Sequence, residues 1–216
     1  MSCIHTDNMK NLSYLISLGA VTLGLAASTA TAGSWSVRVG ATYLQTVDES
    51  DAFSALGMNF AEDALSVSDR TIPEIDVSYA FTEKLSAELV LTIPQKHHVN
   101  LAGVGRLGSF KHLPPTLLLQ YRPLTGKFRP YLAAGVNFTL IFDDELSVAG
   151  VPLKLENSSV GLAGQVGFDY DLNERWSFNA NVKKAVLRSD VLAGGAALTE
   201  ARLDPWLYAV GFVRKF

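Results

Sequence analysis

Cysteine is almost absent. Cys3 is the single one in 216 residues, so no intramolecular disulfide is possible. Cys3 also precedes the first apolar run, where lipoprotein anchoring would not use it. A basic excess is lacking too: 18 Lys and Arg against 21 Asp and Glu leave a formal charge of −3. That excludes the electrostatic footprint of a nucleic-acid binder. Long apolar runs are missing beyond the first thirty or so residues, although 48% of the chain is hydrophobic. No later segment approaches the roughly 20 residues of a spanning helix. No Ser/His/Asp constellation stands out, so the chain reads as non-enzymatic, with no cofactor and no metal.

What is present begins with a secretory signal peptide. Lys10 precedes an apolar run over residues 12–27, and Ala30-Thr31-Ala32 supplies an A-x-A cleavage site. Such a run is too short and wrongly flanked for a membrane anchor. Two segments are expected: a signal peptide at 1–32, and one domain at 33–216.

That domain alternates. Trp206, Tyr208, Val210, Phe212 and Phe216 recur at even positions, opposite Leu207, Ala209, Gly211, Val213 and Lys215. A period of two is a strand with two distinct faces. The same alternation marks residues 35–45, 70–81, 85–93, 113–122, 128–142, 159–170 and 176–187. Apolar alternation in segments of about ten residues is the signature of a transmembrane barrel, and in lipid only helices and closed barrels satisfy every backbone group. The expected fold is all-β: an eight-stranded antiparallel transmembrane barrel with up-and-down topology.

The connections alternate in length. Tight ones at 82–84, 124–127 and 172–175 read as periplasmic turns. Long ones at about 46–69, 95–112, 143–158 and 188–203 read as extracellular loops. Phe81, Tyr121, Phe128, Tyr170, Trp176 and Phe216 then fall near the periplasmic rim as an aromatic girdle. Alternation alone does not say which face is inside. A soluble barrel of lipocalin type, with its apolar face inward, is the open alternative; the signal peptide and the terminal Phe216 favour the membrane.

Five motifs carry a family resemblance: His112-Leu-Pro-Pro-Thr116, Lys127-Phe-Arg-Pro-Tyr131, Gly135-Val-Asn137, Gly164-Gln-Val-Gly-Phe-Asp-Tyr170 and Arg202-Leu-Asp-Pro-Trp206. In order and spacing the domain resembles the OmpW family of outer-membrane proteins, which includes the AlkL type. The resemblance implies an eight-stranded barrel with a hydrophobic lumen. It further implies passive uptake of small hydrophobic molecules, or, as some members do, service as a receptor for colicins.

An eight-stranded barrel holds only side chains or one small ligand, which argues against a general aqueous pore. Inward positions Ile72, Val90, Leu118, Ile141 and Leu207, with Ala133 and Ala163, are the candidate apolar lining. Arg38, Glu88, Gln120, Arg122, Arg129 and Asp169 are the candidate polar plug below it, since buried charges need partners. Pro94, Pro114, Pro115 and Pro205 lack ladder donors; they either open a lateral gap in the wall or only end strands. The rival reading is a structural or receptor barrel with a filled lumen, acting through its extracellular loops.

Some residues fit less well. Lys183-Lys184 stands where the family tends to carry bulky apolar or aromatic residues, and Arg214 stands where Tyr or Phe is expected. His97, His98 and His112 flank one long connection and read as polar loop residues, because adjacent His97 and His98 point to opposite faces when extended. Asp48, Glu49, Asp51, Glu62, Asp63 and Asp69 read as a solvated acidic loop, with divalent cations bridging lipopolysaccharide as the alternative. The expected partners are outer-membrane lipid, lipopolysaccharide, small hydrophobic solutes and the barrel-assembly machinery.

Overall fold

The computed structural model describes residues 33–46, 49–55, 58–193 and 195–216; the expected signal peptide lies outside them. Among the described residues there is no helix. Eight long strands form the staves of the barrel: β1 (Ser34–Gln45), β2 (Arg70–Ala80), β3 (Leu85–Thr92), β4 (Thr116–Tyr121), β5 (Phe128–Val148), β6 (Ser158–Asp171), β7 (Trp176–Ala185) and β8 (Trp206–Lys215). Each pairs antiparallel with the next. The ring closes where β8 pairs with β1, from Ser36 opposite Lys215 to Gln45 opposite Trp206. Closure leaves no sheet edge exposed in lipid.

Two of the three tight turns are held by local side-chain acceptors. Thr82 Oγ1 accepts from the Lys84 and Leu85 amides at 3.2 and 3.0 Å. Asn173 Oδ1 accepts from the Arg175 and Trp176 amides at 2.9 Å each. Such Asx and ST contacts stand in for ladder bonds where the chain reverses.

The faces are sorted as a membrane requires. Val160 and Leu162 are 71% and 72% exposed, whereas Arg38, Glu74 and Asp76 are 6%, 2% and 1% exposed. Charge inside and aliphatic chains outside is the reverse of a soluble barrel, and this removes the lipocalin-type alternative. All six rim aromatics expected from sequence point outward. Arg214 takes its place among them: its guanidinium lies 5.2 Å from the Trp176 ring centre and 5.6 Å from that of Phe216.

The long connections depart from expectation. Most of their length is strand, not loop. Gln95–Leu101 and Gly105–Leu113 form a hairpin, joined on one side by Leu65–Val67 and on the other by the upper part of β5. Val151–Leu155 folds back on β5 and then pairs with Arg188–Ala193, which pairs with Ala196–Arg202. The barrel wall thus continues well above the lipid band as an extracellular collar. Gly108, at φ +145, sits where β5 bulges between Phe142 and Glu145. A Cβ there would meet the Glu145 carbonyl oxygen at 1.9 Å, so only glycine lets the two backbones approach.

A candidate lumen site

The inner face of β5 is a vertical ruler. From the periplasmic end it reads Arg129, Tyr131, Ala133, Gly135, Asn137, Thr139 and Ile141. Polar, apolar, polar and apolar follow one another, and the lumen is layered in the same way.

The lowest layer is ionic. Arg38 lies at its centre. It pairs with Asp76, with Glu74 at 3.1 Å and with Glu88 at 3.0 Å, and donates to Asn179 Oδ1 at 2.6 Å. Gln120 donates to Glu88. Lys183 Nζ reaches Glu74 at 2.9 Å. Nearer the periplasm, Arg122 donates to Ser86 at 2.6 Å and pairs with Asp169 at 3.3 Å. Arg129 and Lys215 pair with Asp171 at 2.8 and 2.7 Å. A polar vestibule of about 420 Å³ opens beneath. All six residues expected in the plug are therefore in this network. Sequence reading left out Glu74, Asp76, Tyr131, Asn179 and Lys183. The inward parity of the acids is legible in the sequence; the register that sets Arg38 directly opposite Asp76 in the β1–β2 ladder is not.

Above the plug lies an apolar layer of Leu44, Val90, Leu118, Ala133, Ala163, Ala185 and Leu207. Ile72, Val90 and Leu207 line a pocket of about 30 Å³ in it, together with Leu44, Thr92 and His112. Of the expected lining, Ile72, Val90, Leu118 and Leu207 belong to this level. Ile141 does not: it joins a separate cluster in the collar.

That upper cluster includes Leu65, Val99, Leu101, Leu107, Phe110, Ile141, Leu146, Leu153, Leu187 and Leu203. It surrounds a narrow, almost wholly apolar cavity of about 50 Å³. This chamber is not evident from sequence, because its residues fall in the long connections, which read as loops. Alternation within Val99, Leu101, Leu107 and Leu153, Leu155 was the available signal.

The two apolar layers meet at a polar belt. Asn137 donates to Thr116 Oγ1 at 2.8 Å, and Thr139 donates to Asn137 at 2.7 Å. His97 and His112 face each other edge to face, ring centres 4.8 Å apart, and Phe110 stacks on His97 at 5.7 Å. The reading of these histidines as polar loop residues is thus corrected for two of them: His97 is 0% exposed and His112 1%. Only His98 turns outward, where Arg106 meets its ring at 2.6 Å. The acidic stretch is dispersed, not clustered. Asp51 pairs with Arg202 at 3.0 Å; Asp69 accepts from Tyr43 at 2.7 Å and from the Thr46 amide at 3.1 Å. Asp48 lies outside the described residues.

Four of the five sequence motifs are joined in pairs by hydrogen bonds, and the fifth holds the end of β7. Asn137 Nδ2 donates to the Pro114 carbonyl at 3.4 Å, and the Phe138 amide to that of Pro115 at 2.9 Å. Gln165 donates to Tyr131 at 2.9 Å. Asp204, at φ +26, accepts from the Leu187 amide at 2.9 Å and from Lys184.

A closed eight-stave barrel with an aliphatic outer band, an aromatic rim and a charged interior is a protein of the bacterial outer membrane. The comparisons with known proteins narrow the class. The OmpW family model matches residues 31–216, and the chain belongs to that family. It is 34% identical over 199 residues to outer membrane protein W of Vibrio cholerae, covering 85% of this chain and 89% of that one. The crystal structure of OprG from Pseudomonas aeruginosa superposes with a TM-score of 0.75 at 34% identity, over 86% of this chain and 96% of that one. AlkL, solved in lipid bilayers, shares the fold with a TM-score of 0.69 at 21% identity, over 89% and 94% of the two chains.

Proposed function

We propose that this protein is a passive channel for small hydrophobic molecules. A solute enters the collar chamber around Ile141, passes the belt, reaches the lower apolar layer lined by Ile72, Val90, Leu118 and Leu207, and leaves sideways into the bilayer. The single observation that carries this reading is the stacking of two apolar spaces over an ionic plug. The plug blocks an apolar solute below, so the productive exit is lateral.

A feature of the wall supports such an exit. Ladder pairing between β2 and β3 ends at Glu74 opposite Thr92. Above it the two segments are next tied at Ser68 and His98, and then along the ladder from Val67 opposite Val99 to Leu65 opposite Leu101. Pro73 and Pro94 fall in the interval and bring no amide donor. Burial gives roughly 0.8 kcal/mol per CH₂, about 6 kcal/mol for an eight-carbon chain. Association costs reduce this to weak binding that permits release. Lipopolysaccharide around the collar and the barrel-assembly machinery are the other partners of this reading.

One observation favours the filled receptor barrel: both apolar spaces, about 50 and 30 Å³, are narrower than such a chain needs. The two readings separate in cells with and without the protein. Faster uptake of radiolabelled octane with the protein is expected. Equal uptake would sink the channel and leave the receptor.

A further inference from the structure

His112 is buried on all sides, yet among the described residues neither of its ring nitrogens has a hydrogen-bond partner. Its neighbours are rings, His97 and Phe110, and the aliphatic pocket whose wall it helps to form. The hydroxyl of Thr92, in the same wall, is likewise without a partner among the described residues. Leaving buried donors and acceptors unmet is costly, and the other polar groups of this wall are engaged with one another, Glu74 with Lys183 and Asn137 with Thr116. Burial holds the His112 ring neutral, its pKa pushed down to about 3, with His97 adding to the effect. A neutral imidazole presents one N–H and one lone pair.

We infer that the pocket beneath the belt selects apolar molecules bearing one neutral hydroxyl group, with His112 meeting the hydroxyl and Leu44, Ile72, Val90 and Leu207 holding the carbon chain. A hydroxyl both donates and accepts, so it satisfies either tautomer of the ring. An alkane satisfies neither valence. A charged head group gains no counter-charge from a neutral ring, and Glu74 and Lys183 in the same wall are already paired with each other at 2.9 Å. This rests on the channel reading and deepens it. Placing the hydrogen-bonding group at the belt also orients the molecule, tail toward the plug and beside the unlaced stretch of wall at Thr92.

The test compares tritiated 1-octanol with tritiated octane, each binding to the protein in lipid nanodiscs and corrected for binding to empty discs. A preference for octanol of roughly tenfold is expected, the scale of one neutral hydrogen bond. His112→Phe should cut that preference to about twofold or less. His112→Gln, which keeps a donor and an acceptor, should retain most of it. In the unaltered protein, octanol and not octane should move the ¹⁵N resonances of the His112 ring, a readout independent of any variant's folding. If both ligands bind but the preference is absent, or survives His112→Phe, the hydroxyl selection is overturned and the channel stands. Unmoved ring resonances in the presence of bound octanol have the same consequence. Binding of neither ligand above empty discs overturns both.

Discussion

The lower and upper halves of the lumen solve the same packing problem with opposite chemistry. Both are ringed by strands. The lower half is filled by charges that satisfy one another across the barrel. Arg38 on β1 reaches β2, β3 and β7, so the network ties staves that share no ladder. The upper half is filled by aliphatic side chains that no directional bond holds in place. Exchanging members of an ionic network breaks specific bonds, whereas aliphatic side chains can shift rotamers at little cost. The rigid half is therefore the one that seals, and the yielding half is the one that faces the medium.

The sharpest way to break this comparison is Arg38→Met. The change leaves Glu74, Asp76 and Glu88 buried with Lys183 as the cation nearest them in the network. Removing one partner of a buried charge cluster costs about 3–5 kcal/mol. A fall of that size in urea-unfolding free energy in lipid is expected. A loss below about 1 kcal/mol would mean that the plug contributes little to the barrel's stability.

Leu118→Lys tests the boundary between the halves. Leu118 stands directly opposite Glu88 in the β3–β4 ladder, so an ammonium there has a carboxylate within reach and the barrel should still assemble. The apolar passage would then carry a charge. Octane uptake should fall by roughly tenfold, the scale of replacing an aliphatic contact with a desolvation penalty. Unchanged uptake in a folded variant would remove Leu118 from the lining.

The staves were legible in the sequence because each has one lipid face and one lumen face, and that asymmetry enforces a period of two. Glu88 and Asp169 could be placed inside by parity once the signal peptide and the terminal Phe216 pointed to a membrane. The collar was not legible on the same terms. Its strands are shorter, both of their ends lie in turns, and their outer face meets water, so Gln95–Leu101 reads as mixed polar sequence around His97 and His98. Partners across the barrel were hidden for another reason. Parity says that Glu74 and Lys183 both point inward, but their 2.9 Å contact depends on how far the staves are staggered, which no single strand encodes. His112 combined both difficulties: it lies in a collar strand, and its role follows from the polar partners it lacks there.

The mildest change is on the outer face. Lys184 stands among lipid-facing residues, where a lysine at the bilayer midplane would cost ~2–4 kcal/mol. Its position avoids that cost. β7 has only one residue left above it, and its Nζ turns to the Asp204 carbonyl and lies 5.0 Å from the Trp206 ring centre. The stem follows the barrel surface while the ammonium reaches the interface, as long cationic side chains do. Lys184→Ala removes one cation–π contact worth about 0.5–1 kcal/mol at an exposed site together with the hydrogen bond to the Asp204 carbonyl, and on the other side it removes any residual penalty of charge near lipid. The two nearly offset, so the unfolding free energy should stay within about 0.5 kcal/mol of the original. A stabilisation of 2 kcal/mol or more, about the penalty for a lysine deep in the bilayer, would place Lys184 within the hydrocarbon and move the upper membrane boundary into the collar.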